Sequence, residues 1–178
     1  MSPGRAKPAA TADELEVKSE QQHSPFRIKA GNCSSNRIYL SSFMAQLHTA
    51  GLLVIRNKKL LLAFSRNKRC FYLPGGNVDA GETVEQALCR EAAEELQVII
   101  EPCDLRYHAH ITAPAYGEQN GTIMEQDCFL LTSSIKPACS GEIGAIKYFS
   151  LEEYLEVPDR APGAVMILEQ LKAEALID

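Results

Sequence analysis

The chain has 178 residues, 46% of them hydrophobic and 23% charged, with 18 Lys and Arg against 23 Asp and Glu. This composition excludes wholesale disorder, and the length suits one domain or one domain with a tail. The net charge of −5 speaks against a nucleic-acid polymer or an anionic membrane as partner. It leaves small phosphate compounds open, because a divalent cation reverses the sign of the field locally.

Residues 1–44 carry few apolar anchors. Met1–Ala12 is rich in Pro, Ala, Gly and Thr, and Asp13–Gln22 is polar. They read as a disordered or loosely attached N-terminal extension, with residues 45–178 as the folded domain. The longest apolar stretches, Gly51–Ile55 and Leu60–Phe64, fall well short of the roughly 18 residues a membrane helix needs. No basic start runs into an apolar core, so the expected location is cytoplasmic. Six cysteines show neither C-x-x-C pairs nor histidines at zinc spacing, and they read as reduced, mostly buried thiols.

Gly51–Arg56 and Lys59–Ser65 are expected strands, joined by a hairpin turn at Asn57-Lys58. Phe71–Leu73 is a short strand running into the turn Pro74-Gly75-Gly76. Thr83–Leu96 is a helix, with Thr83 and Gln86 as a capping box. Leu105–Ala113 and Thr122–Thr132 form a second hairpin through Asn120-Gly121. Ile146–Ser150 is a further strand. Ala164–Ala175 closes the chain as an amphipathic helix bearing Val165, Leu168 and Leu171, with Leu176 just beyond it on the same face. Strands, helix, strands, helix predict an α/β fold, a mixed sheet with helices packed on it.

The chemistry is concentrated between Pro74 and Val98. On the helix, Val84, Leu88, Ala92 and Leu96 form one apolar stripe, and Glu91, Glu94 and Glu95 share its shoulder. Carboxylates spaced i, i+3 and i+4 repel by ~0.2–0.5 kcal/mol per neighbouring pair. Their position in the C-terminal half sets them against the helix dipole as well. Taken alone, such a pattern is either a solvated acidic face or a site for a hard cation such as Mg²⁺ or Mn²⁺.

The residues ahead of the helix decide between these. Gly75-Gly76-Asn77-Val78-Asp79-Ala80-Gly81-Glu82 has glycines that permit tight turns and close backbone approach to a ligand. Gly76, Glu82, Arg90, Glu91, Glu94 and Glu95 stand in the register of G-x5-E-x7-R-E-U-x-E-E-x-G-U, with U a bulky aliphatic residue. At average residue usage six such matches arise by chance in about one chain in 10⁵ of this length. The segment therefore resembles the Nudix box, and the chain resembles a compact, MutT-like Nudix hydrolase with an α/β/α sandwich over residues 48–175.

The resemblance implies a Mg²⁺- or Mn²⁺-dependent pyrophosphohydrolase acting on a nucleoside diphosphate linked to another moiety, as a monomer or homodimer. It implies that Glu94, Glu95 and the Gly75 carbonyl hold metal, and that Glu91 is a further ligand or the general base. Arg90 orients a glutamate, Glu82 supports the loop or an outer metal site, and Gly76 and Arg66 meet the substrate. Glu142 and Glu125 are later-loop candidates for the base. Pro114 and Tyr116, 16 and 18 residues past Val98, match marks of ADP-ribose and dinucleoside polyphosphate subfamilies, and neither discriminates. His108 and His110 alternate on a strand and read as core or rim residues. Tyr107, Tyr116 and Phe71 read as core aromatics. Two positions depart from the box: Ala92 is small, and Gln97 replaces the glycine that ends the helix. The second departure predicts a helix that frays or runs further. A module of this fold that only binds a ligand is the alternative of another class, and the intact glutamates speak against it.

Overall fold

The structure, a computed structural model, describes residues 46–118 and 121–178. The extension expected over residues 1–44 and the Asn120 corner of the second expected turn lie outside the described residues. In order the elements are β1 (Gln46–Leu53), β2 (Ile55–Arg56), β3 (Lys59–Ser65), β4 (Cys70–Tyr72), β5 (Gly75–Asn77), α1 (Val84–Leu96), β6 (Leu105–Pro114), β7 (Ile123–Leu131), β8 (Ile143–Phe149), α2 (Leu151–Leu155) and α3 (Pro162–Ala173). No helix among the described residues is long and apolar enough to cross a membrane.

One sheet runs in the order β5-β1-β7-β6. It is mixed: β1 is antiparallel to β5 and parallel to β7, and β7 is antiparallel to β6. In the second sheet β3 pairs antiparallel with β2, β4 and β8. The expected strand Gly51–Arg56 is therefore two strands. β1 follows β7 as far as the Leu53–Leu130 pair, after which Ile55 turns to pair with Leu60 in the other sheet. Asn57 and Lys58 both have positive φ, 51° and 59°, the two-residue turn whose twist matches the flanking strands.

Alternation along the strands gives the first sheet two faces. Ala50, Leu52 and Phe129 meet Leu88, Ala92 and Leu96 of α1 in one core. Ile111, Ala113, Cys128 and Leu130 meet Ala164, Ile167, Leu168 and Leu171 of α3 in the other. Each fully buried leucine or isoleucine stabilises the fold by roughly 1.5–3 kcal/mol relative to exposure. The mixed α/β architecture is the one the element order predicts.

Two cap structures fix the ends of α1. Thr83 Oγ1 accepts from the Gln86 N–H at 3.2 Å and Gln86 Oε1 accepts from the Thr83 N–H at 2.9 Å, a cap that contributes about 1 kcal/mol. At the other end the helix does not run on. Gln97 adopts the left-handed conformation at φ 55° and ψ 36°, and the Val98 N–H reaches back to the Ala92 carbonyl at 3.4 Å. The glycine's conformation is kept without the glycine.

Candidate active site

The Pro74-Gly75-Gly76 segment, expected as a turn, continues as the edge strand β5 paired with Thr49–Gly51. Gly75 has φ of 130°, and a Cβ there would strike the Ala50 carbonyl. A Cβ on Gly76 would occupy the space of the Glu91 carboxylate. With both side chains missing, Glu91 reaches from α1 past the sheet edge into a cleft of about 320 Å³, whose walls include Thr49, Lys68, Tyr72, Gly76, Arg90 and Glu91. A larger concavity, about 540 Å³, lies between Val54–Arg56 and Leu131–Lys136. It has no carboxylate, imidazole or thiol on its walls, so size does not make it the reactive one.

Arg90 organises this end of α1. Its Nε and Nη2 donate to the two oxygens of Glu82 at 2.9 and 3.0 Å, Nη1 donates to Glu91 at 2.7 Å, and Nη2 also reaches the Asn77 carbonyl at 3.1 Å. These are charge-assisted bonds in a fork geometry that lysine could not reproduce. The hydrogen bonds from Arg90 hold the Glu82 carboxyl below the usual carboxylate range. Glu94 stays 3.9 Å from Arg90 with its side chain 64% exposed.

Glu95 turns the other way, into the protein. Its Oε2 accepts from the Gly75 N–H at 2.9 Å, and its Oε1 lies 2.7 Å from the Tyr72 hydroxyl. The same hydroxyl lies 2.9 Å from Glu142 Oε1. A phenol has one hydrogen to donate, so both contacts are hydrogen bonds only when one carboxyl keeps its proton. Burial pushes the Glu95 carboxyl up to about 7, with Glu91 and Glu142 adding to the shift. Partial burial also acts on Glu142, but donors from Tyr72, Asn67 and Ser65 outweigh it and hold that carboxyl low. Below about pH 7 Glu95 is thus the protonated partner and Glu142 the ionised one.

The helix end brings Glu142 to this place. The N–H groups of Ala138 and Ser140 donate to the Leu96 and Glu95 carbonyls at 2.8 and 3.1 Å, satisfying acceptors that a helix C-terminus leaves open. Arg66, expected at the substrate, donates from Nη1 to the Gly141 carbonyl at 2.9 Å. Lys68 stands on the cleft wall. Glu125 lies apart, bonded to His110 at 2.6 Å and Thr112 at 2.7 Å. A bulge between Tyr107 and Ala109 breaks the alternation, so His108 and His110 do not share a partner: His108 faces Glu174 and His110 faces Asp127 and Glu125. Phe71 is partly buried against the core, edge-on to Phe64 and Phe149. Tyr107 is exposed, and Tyr116 lines the cleft.

The donor set fits a hard cation. Glu91, Glu94, Glu95 and the Gly75 carbonyl supply only oxygen, and the burial that raises the Glu95 carboxyl, with the charges of Glu91 and Glu142 adding to it, is a shift that a facing cation would oppose. Among the described residues no three Asp, Glu, His or Cys side chains already converge as a cage, because Arg90 engages Glu91 and Tyr72 engages Glu95. Tyr72 was legible only as a neighbour of the glycine turn. Gln126, which also lines the cleft, stands between Glu125 and Asp127, where nothing in the sequence sets it apart.

A model of the NUDIX domain matches residues 46–171, and the chain belongs to that family. Over 74 residues it is 42% identical to an ADP-ribose pyrophosphatase of Methanocaldococcus jannaschii, a stretch that spans 40% of this chain and 42% of that relative. The curated relative is thus matched over less than half its length. The E. coli ORF135 protein superposes with a TM-score of 0.58 at 26% identity, over 76% of this chain and 96% of that one. A MutT NUDIX hydrolase from Burkholderia pseudomallei gives 0.59 at 25% identity, over 71% and 98%.

Proposed function

We propose that this chain hydrolyses the phosphoanhydride of a nucleoside diphosphate linked to another moiety, with Mg²⁺ or Mn²⁺ as cofactor, and that residues 45–178 carry the activity. One observation carries the reading: Arg90, braced by Glu82, presents Glu91 to the cleft through the gap at Gly76. Glu94, Glu95 and the Gly75 carbonyl would hold the cation, which when bound neutralises phosphate oxygens and lowers the pKa of water. Glu91 takes a proton from the attacking water as its oxygen bonds to phosphorus. The bridging P–O bond breaks, and its electron pair leaves with the second phosphate. Arg90 keeps Glu91 aimed, Gly76 lets the diphosphate approach the backbone, and Lys68 meets its charge. Glu142 sits behind Tyr72 and steadies that wall, with Arg66 bracing its loop.

The Methanocaldococcus jannaschii relative makes ADP-ribose the first compound to try. Nucleoside triphosphates and dinucleoside polyphosphates are the competing arms. The test is product release from this panel, by the full chain and by residues 45–178, with Mg²⁺ and with chelator. Metal-dependent turnover of one compound by both forms is the expected result. Binding without turnover of any of them would replace this reading with that of a ligand-binding module.

A further inference from the structure

The two sheets part where β1 gives way to β2. The β1–β7 ladder ends at the Leu53–Leu130 pair, and Ile55 pairs with Leu60 in the other sheet. This divergence opens the hollow of about 540 Å³ between Val54–Arg56 and Leu131–Lys136, a size typical of small-molecule sites. The cleft that holds Glu91 takes walls from the first halves of β1 and β7, at Leu47, Thr49, Met124 and Gln126. The hollow takes its walls from the far ends of the same two strands and the chain just beyond them, so the two lie at opposite ends of the parallel pair.

The hollow has an apolar floor and a cationic rim. Leu131, Ile135 and Tyr148 line it and are partly buried against the core beneath α1. Arg56 and Lys136 are exposed on its walls, and no carboxylate joins them, in a chain whose net charge is −5. Among the described residues Lys59, Lys68, Arg90 and Lys172 are ion-paired, whereas Arg56 and Lys136 are not. Thr132 anchors the segment leading to Lys136, giving its N–H and its hydroxyl to the Asp104 carbonyl at 2.8 and 2.9 Å. Beyond it, the N–H groups of Ser133 to Lys136 donate to no backbone carbonyl among the described residues, and Ser133 and Ser134 bring hydroxyls to the same wall. Two cations, hydroxyls and uncommitted amides suit an anion with several oxygens, which phosphate offers and carboxylate offers less fully. We propose that this hollow is a second binding site, separate from the cleft, for a small phosphate monoester with a flat apolar body. The phosphate lies between Arg56 and Lys136, and the body lies against Ile135 and Tyr148. Nothing in this depends on the hydrolase reading.

The test is a titration of the isotope-labelled full chain, followed amide by amide by NMR, with phenyl phosphate, inorganic phosphate and phenol as probes. Phenyl phosphate is expected to saturate shifts of the Arg56 and Ser133–Lys136 amides with a Kd of about 1 mM or tighter. Inorganic phosphate, lacking the apolar body, should bind there about tenfold more weakly, and phenol, lacking the charge, should not saturate. Arg56→Gln and Lys136→Gln should each weaken phenyl phosphate by on the order of tenfold, leaving any shifts at Thr49 and Gly76 in the cleft as in wild type. Both side chains are exposed, and the dispersion of the same spectra reports that each variant is folded. No saturable shift at these amides, shifts confined to the cleft, unchanged affinity in either variant, or equal affinity for the two phosphates would overturn the proposal. This binding in a protein that turns over no nucleotide compound would keep the second site and remove the hydrolase reading.

Discussion

Glu125 and Asp127 of β7 face His110 of β6 and His48 of β1, whereas on α1 Glu91 and Glu94 share Arg90 with Glu82, and Glu95 bonds to Tyr72 and the Gly75 N–H instead. In the first group both ring nitrogens of His110 are engaged, with Asp127 at 2.8 Å and Glu125 at 2.6 Å, and His48 reaches Asp127 at 3.1 Å. Bonding on both sides requires an imidazolium, and the Asp127 and Glu125 bonds raise the His110 pKa accordingly. Thr112 and His110 together hold Glu125 low. In the second group Arg90 is consumed by Glu82 and Glu91, leaving Glu94 to solvent and Glu95 buried with its carboxyl pushed up. Acidic residues that supply their own counter-charge form a structural patch. Those that lack it are where the proposed cation would act.

The largest expected effect separates the two groups by activity. Glu91→Gln should reduce kcat on the best substrate by about 10²–10⁴, while Glu125→Gln changes it by less than about threefold. Steady-state product release measures both, and equal losses would erase the distinction.

Next is the pH dependence of stability without metal. Burial places Glu95 at about 7 when folded, against an ordinary carboxyl near 4.3. The folded chain keeps a proton that the unfolded chain releases, so stability falls as pH rises between those values. Glu95→Gln should flatten that fall, gaining on the order of 3 kcal/mol at pH 8 relative to pH 4. Urea melts at the two pH values read it, and parallel losses in wild type and variant would show that Glu95 is not the group.

Metal should act on one group only. At ~100 times its Kd, Mg²⁺ adds about 2.7 kcal/mol to the native state, raising the Tm of wild type and of Glu125→Gln alike, with a smaller rise in Glu94→Gln. NaCl at matched ionic strength screens without coordinating, and a full Tm shift from NaCl alone would reduce the α1 cluster to a solvated face.

His110 gives a smaller effect of defined sign. Its pKa is raised, so its contribution is fully present below the ordinary histidine value near 6.5 and disappears as pH rises through the folded value. The side chain is 43% exposed, which through screening limits the loss in His110→Gln to about 1 kcal/mol. Thermal melts at pH 5.5 and 9 should show the loss at the lower pH only. Smallest is Gln97→Gly, expected to stabilise by about 0.5 kcal/mol, as relief of the left-handed backbone outweighs glycine's added chain entropy. Chemical denaturation measures it, and a loss would mean that position 97 is not strained.

Local signals explain what could be read in advance. The capping box at Thr83 and Gln86, the Asn57-Lys58 turn and the stripe Leu88, Ala92, Leu96 depend on neighbours within one turn, and all stand where expected. Ser150 and Glu153 form a second capping box that starts α2. The S-x-x-E signal was in the sequence, but a five-residue helix has too little periodicity to register. β5 was read as a turn because its glycines mark tight turns as readily as a bare strand edge, and only the β1 partner decides. β8 begins at Ile143, ahead of the expected Ile146, because its early residues are aligned by β3. The Glu95–Tyr72–Glu142 contacts join residues far apart in the sequence, so they have no spacing to find. Helix-borne glutamates were legible and strand-borne partners were not.

The parallel pairing of β1 with β7 also orders assembly in time. The two hairpins, β2 with β3 and β6 with β7, close over short stretches of chain and can form early. The floor beneath α1 cannot, because Ala50 and Leu52 meet Phe129 across the β1–β7 ladder, where the contact of His48 with Asp127 closes a separation of 79 residues. Loop-closure entropy must be overcome before such contacts stabilise anything. On the ribosome the acidic helix therefore emerges before its floor exists, and its cluster of like charges is organised only once β7 has been made and docked.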